Sequence, residues 1–270
     1  MVELKKKYQI GSKRFGLINW IGILSLYKKE VLRFLTVAGQ TIIGPVVTAV
    51  LFLLVISLAI GDERADVLGV TFIEFLGPGL IAMQIIQQSF SHSSSSLLMG
   101  KVMGNIIDLI GAPLSAAEVT LSIIFASITR GIFISVFSLL VFSLMIEIEI
   151  KNYFVLIIYL FLNGFLMGAI GFIAGQWADK FEHMAGITNF IIVPLSFLSG
   201  TFYEINRLPE FLQLISFYNP FFHMIDGFRY SYINQLDGSL KFGIIYLSIL
   251  GITFWIIAYF LFKKGYNIKS

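Results

Sequence analysis

The feature that most constrains this chain is where its charges are missing. No Asp, Glu, Lys or Arg occurs in 34–61, 75–100, 131–146, 152–178, 183–203 or 242–262. A helix rises 1.5 Å per residue, so each run crosses, or nearly crosses, a hydrocarbon core about 30 Å thick. We read six spans, at about 38–60, 73–92, 129–147, 153–175, 184–203 and 241–262. The third has the shortest apolar core, and a snorkelling Arg130 at its interface would lengthen it. Hydrophobic residues reach 57% and charged residues only 13%. Soluble domains carry roughly 25% charged residues, so a soluble enzyme or nucleic-acid-binding domain is excluded. The chain has no cysteine, which removes disulfides and thiol chemistry.

Orientation follows from Lys and Arg. With six spans both termini share a side. That side holds Lys5, Lys6, Lys7, Lys13, Arg14, Lys28, Lys29, Arg33, Lys101, Arg130, Lys180, Lys263, Lys264 and Lys269. The other holds Arg64, Lys151, Arg207, Arg229 and Lys241, with Asp62, Glu63, Glu147 and most of the other acidic residues. Both termini are therefore expected in the cytoplasm. The whole chain, 1–270, reads as one transmembrane domain: 1–36 an amphipathic N-terminal segment, 37–262 the bundle, 263–270 a tail. In the N-terminal segment Trp20, Leu24, Tyr27, Val31 and Phe34 recur at helical spacing, opposite Ser25, Lys29 and Arg33. This predicts a helix lying on the membrane surface, as an anchor or as a docking surface for a cytoplasmic partner.

Two connections are long. From His92 to Arg130 the chain passes Ser93–Ser96, Gly100, Lys101, Gly104, Asp108 and Ala112-Pro113. It is too apolar for a solvated loop and predicts one or two short helices at the membrane surface. On the opposite side, Tyr203 to about Ser239 is rich in aromatic residues and is broken at Asn219-Pro220. It predicts two helices packed on the spans as a re-entrant outer cap, because irregular backbone at membrane depth must be buried by protein or water. Within it Asp226 and Arg229 share a helix face, and burial favours pairing with each other or with a neighbouring helix end.

Several chemistries are missing. Gly100-Lys101 lacks the first glycine and the Ser or Thr of a Walker A loop, because Ser95 and Val102 stand there. His92, His183 and His223 are scattered, with no metal-binding spacing. Ser199-Gly200-Thr201 reads as close helix packing rather than a nucleophile. A secondary carrier or channel is the main alternative, but no span has a central Asp, Glu or Lys to relay ions. An intramembrane enzyme would need a polar cluster that the sequence does not display.

The residues do resemble a known family. Phe197-Leu-Ser-Gly-Thr-Phe-Tyr203, Leu208-Pro209-Glu-Phe-Leu212, Tyr218-Asn-Pro-Phe221 and Asp226-Gly-Phe-Arg229 resemble the signature of the type-2 ABC transporter permeases. Upstream, Lys29-Glu-Val-Leu-Arg-Phe34 with Gln40-Thr41 and Pro45, then Gly77-Pro-Gly-Leu80, Phe90 and Ser93–Ser96, are similar to their N-terminal helix and first two spans. Lys101, Gly104, Asp108, Ala112-Pro113 and Glu118, followed by Thr129-Arg-Gly131, resemble their cytoplasmic coupling region and third span. Glu204 stands where many members have proline. The resemblance implies an all-α integral membrane protein of six transmembrane helices, working as a homodimer in the bacterial inner membrane among its lipids. It implies an exporter permease driven by a separate cytoplasmic ABC ATPase, with ATP and Mg on that partner and no cofactor on this chain. It also implies coupling to the ATPase through Lys29, Arg33, Lys101, Asp108 and Pro113, and an external cap built on Tyr203, Asn219, Pro220, Asp226 and Arg229. No nucleic-acid partner is implied.

Overall fold

The computed structural model describes residues 18–60, 66–146 and 148–267. The readings that rest on Lys5, Lys6, Lys7, Lys13, Arg14, Asp62, Glu63, Arg64, Glu147 and Lys269 lie outside the described residues. Among the described residues the architecture is helical, with one isolated bridge between Val67 and Val70 and no strand.

The described residues open with α1 (Trp20–Thr36), pass a π-helical turn (Gly39–Ile43) and continue as α2 (Gly44–Ile60). Then come α3 (Phe72–Val102), the short α4 (Ile106–Gly111), α5 (Ala116–Phe142) and α6 (Tyr153–Trp177). A broken segment follows: α7 (Phe181–Ile187), a second π-helical turn (Thr188–Ile192) and α8 (Val193–Phe197). A 3-10 turn (Ile205–Arg207), α9 (Glu210–Tyr218), α10 (Pro220–Ile233) and α11 (Leu240–Lys263) complete it. Among the described residues four stretches are long and apolar enough to cross a membrane: Gly39–Ala59, Ala116–Phe142, Tyr153–Trp177 and Leu240–Lys263.

The third long helix, α3, is the hub. Thr71 and Glu74 close a capping box at its start, and it packs on α2, α5, α6 and α10. Enclosed by protein, α3 needs no lipid-facing stripe, so it carries Gln84, Ser89, His92, Ser93 and Ser94 buried along its length. Glycines on α6 allow the closest approach. A Cβ on Gly175 would meet the Ser94 backbone, with Ser94 Cα at 2.8 Å. Small residues on both helices let the two backbones touch, which is how helices associate without a hydrophobic drive between them.

The structure corrects four expectations. The connection does not start at His92: α3 runs on through Ser93–Ser96 to Val102, so the connection shrinks to 103–115. The serines stay helical because their hydroxyls bond back one turn, Ser94 to Ser91 O and Ser95 to His92 O. Arg130 does not stand at the start of a span: it is buried against neighbouring helices in the middle of the continuous α5. The fifth span, expected over 184–203, stops being helical at Phe197 and is interrupted by a π turn and Pro194. Finally, α1 runs alongside the first half of α5. Asn19 meets Glu118, Ile23 meets Ser122 and Tyr27 meets Thr129, in register. Its inward stripe is Leu26, Glu30 and Phe34, while Trp20 and Leu24 point outward.

Candidate functional site

The described termini, Ile18 and Asn267, and the 103–115 connection lie at one end of the bundle, and the 198–239 segment lies at the other. At the terminal end a single carboxylate joins two helix starts. Glu118 Oε2 accepts Ser115 N–H at 2.6 Å, closing a capping box on α5. Its Oε1 accepts Asn19 N–H at 2.7 Å, at the start of α1. Asn19 in turn caps α1 through Gly22 N–H and donates its side-chain amide to Pro113 O at 3.1 Å. Pro113 thus sits in a joint that fastens α1, the connection and α5 together. The spacing Ser115-x-x-Glu118 is a capping-box signal visible in sequence; the partner Asn19, 99 residues away, is not.

The short α4 is held by Ile106, which packs with Leu26, Leu97, Val119 and Ile123. Its other face is open. Asp108 is exposed, and around it Val102, Met103, Ile107 and Ile110 form an uncovered apolar patch, with Ile107 72% exposed. Lys29 is exposed on α1. Arg33 turns inward and donates to Glu30 at 2.9 Å, to His92 O at 3.1 Å and to Ser95 at 3.3 Å. Lys101 also turns inward. Its ammonium donates to Gln176 O at 2.8 Å and to Ala178 O, satisfying carbonyls at the end of α6 where the helix dipole favours a cation. The five residues named for this end therefore divide. Lys29 and Asp108 face outward, Pro113 sits in the joint, and Arg33 and Lys101 bind the bundle itself.

At the far end, Asn219 accepts Phe221 N–H at 3.0 Å and caps α10, with Pro220 at the first helical position. Its amide donates to Ser199 at 2.8 Å, tying α10 to the turn after α8. Tyr203 lies half-buried in that turn, just past Gly200 at φ +70°. Arg229 is 1% exposed. It donates Nη2 to Gly200 O at 2.7 Å, and its guanidinium lies 3.7 Å above the Phe75 ring. Gly79 leaves the room, because a Cβ there would stand 2.9 Å from Nη2. Asp226 accepts the N–H groups of Asp237 and Gly238, both at 3.0 Å. Among the described residues Asp226 and Arg229 form no ion pair. Each binds a different neighbouring segment, so α10 is clamped between the turn after α8 and the approach to α11. Asp237 is the group that sequence reasoning missed. Burial, then the neighbouring Asp226, raises its carboxyl to about 6. Glu204 accepts Leu68 N–H at 2.9 Å, so it closes onto the approach to α3.

Among the described residues no group of three or more His, Cys, Asp or Glu side chains could hold a metal. The described residues form a helical bundle with an uncovered apolar patch at one end and a clamped helical segment at the other.

Comparison with known proteins gives the class. The ABC-2 type transporter family matches residues 22–233. The chain is similar to the inner membrane transport permease YadH of Escherichia coli, 28% identical over 255 residues, covering 94% of this chain and 99% of that one. It is 29% identical over 210 residues to the putative transport permease ycf38 of Cyanophora paradoxa, covering 72% and 70%. It is 19% identical over 235 residues to nodulation protein J of Sinorhizobium fredii, covering 87% and 88%. This chain belongs to the ABC-2 type transporter family, and it is a permease subunit of an ABC transporter.

Proposed function

We propose that this permease forms the export path across the bacterial inner membrane as a homodimer, with a separate ATPase bound to each chain on the cytoplasmic side. The observation that carries the reading is the patch of Val102, Met103, Ile107 and Ile110. It lies uncovered across the end of α3 and α4, and the opposite face of α4 is locked to the bundle through Ile106. Exposed apolar clusters rimmed by polar residues mark partner surfaces. The four long apolar stretches, together with α3 and the broken α7–α8 segment, supply six crossings with both termini in the cytoplasm. The basic residues of the terminal end support that orientation. In this reading 203–239 is the external cap, and ATP and Mg belong to the partner.

Docked on α4, the ATPase would move the connection, α1 and α5 together, because Glu118 holds all three. Transport then follows from a partner that binds one permease conformation better than the other. The test is co-purification. Ile107→Asp combined with Ile110→Asp should leave the permease in the membrane and remove the ATPase from the complex. Undiminished ATPase recovery with this variant refutes α4 as the docking element.

A further inference from the structure

Arg130 is a buried guanidinium whose surroundings do not neutralise it. It lies in the middle of α5 and is 6% exposed. Its Nη2 donates to Gln88 and, at 3.4 Å, to Thr41 O in the π-helical turn. Its Nε is buried and has no hydrogen-bond partner. Among the described residues it pairs with no carboxylate. An unpaired charge buried in a membrane protein is expensive and marks a site by default.

An apolar groove begins beside it. Ile42 and Ile43 directly follow Thr41 and start a cavity of about 260 Å³ between α2 and α5. It continues along Val46, Val47, Val50 and Leu51 of α2 to Phe137 and Val141 of α5. Phe137 and Val141 stand seven and eleven residues after Arg130, on the same face of α5. Every residue lining the groove is apolar, and Thr41, whose carbonyl Arg130 reaches, directly precedes the first of them. Its depth also fits. Gln88, which Arg130 touches, is 16 residues along α3 from Phe72, about 24 Å at 1.5 Å per residue. That puts the guanidinium near the inner boundary of a core about 30 Å thick.

We propose that this groove is a binding site for an anionic phospholipid of the inner leaflet, with its phosphate on Arg130 and an acyl chain along Val47, Leu51 and Phe137. The charge supplies the missing counter-ion, and the chain covers the apolar wall. Basic pockets between membrane helices on the cytoplasmic side bind anionic headgroups in this way. Pro45, four residues after Thr41, has no N–H to give the Thr41 carbonyl, which leaves it for Arg130 at 3.4 Å, and π-helical turns recur at functional sites. The proposal does not depend on the direction of transport or on the docking of the ATPase.

The test uses the permease–ATPase complex in nanodiscs of phosphatidylcholine with phosphatidylglycerol, with retained lipid read by native mass spectrometry. The wild-type complex should retain phosphatidylglycerol at least about tenfold over phosphatidylcholine, the factor expected of a charge-assisted contact. Arg130→Gln should abolish the preference. Val47→Trp should abolish it too, with Arg130 intact, by filling the groove. Val47 is half exposed, so this variant remains decisive if Arg130→Gln does not accumulate. A wild-type complex without preference, or Val47→Trp with the full preference, overturns the proposal. So does a Val47→Trp complex that splits into single permease chains with its lipid unchanged, because the groove would then be covered by a second copy.

Discussion

Removing the Arg229 side chain should weaken the clamp on α10 more than any other single truncation at that end of the bundle. Arg229→Ala strips Gly200 O and Thr201 O of a charged donor, each worth about 1–2 kcal/mol. It also removes the contact over Phe75, about 1 kcal/mol, and leaves a void between α3 and α10. Relief from burying the charge offsets part of this. The net expectation is a loss of about 3 kcal/mol. At about 2–4 °C per kcal/mol, the detergent-solubilised protein should melt roughly 6–12 °C lower. Arg229→Met keeps most of the volume but none of the donors, so it should recover only the part due to the void. An Arg229→Ala protein melting within about 2 °C of the parent refutes the reasoning. If that variant is as stable as the parent and fails to transport, Arg229 belongs to the substrate path instead.

Two further outcomes follow. Because the folded-state carboxyl of Asp237 is raised to about 6, folding favours its neutral form. Its stabilising contribution is complete below about pH 4 and is lost as pH rises through about 6; melting curves of the parent should show that fall, and Asp237→Asn should flatten it. In the cysteine-free chain, a single cysteine at Asn206 should react with an impermeant maleimide from outside intact cells and one at Lys264 should not, and labelling of 264 would reverse the proposed orientation.

The helical class and the family were legible because both rest on local patterns. Charge-free runs locate α2, α6 and α11 to within a few residues. The same method misplaced Arg130, because it assumes that charges sit at helix ends; Gln88 and Thr41 O, distant in sequence, let the charge stay inside. It also starts the connection at His92 instead of after Val102, since polarity alone cannot tell a solvated serine from one bonded to its own helix. The break at Asn219-Pro220 was legible from the chemistry of that pair. For Asp226 and Arg229 the spacing leaves a mutual pair or a neighbouring helix end open, and which segments they reach was not legible, because those segments fold against α10 from elsewhere. Arg33 and Lys101 illustrate the same limit. Their charge is visible in sequence; the helix ends and carbonyls that draw them inward are not.

The joint at Glu118 also sets an order on biogenesis. Asn19 leaves the ribosome long before the carboxylate that receives its N–H, 99 residues later. At about 5–20 residues per second that interval is roughly 5–20 s. During it α1 can form its own Asn19 cap and its Glu30–Arg33 pair, both local, and Arg33 and Phe34 can meet His92 once α3 is made. The Asn19 N–H still lacks its carboxylate, so the final seat of α1 against α5 is assigned only after nearly half of the chain has been synthesised.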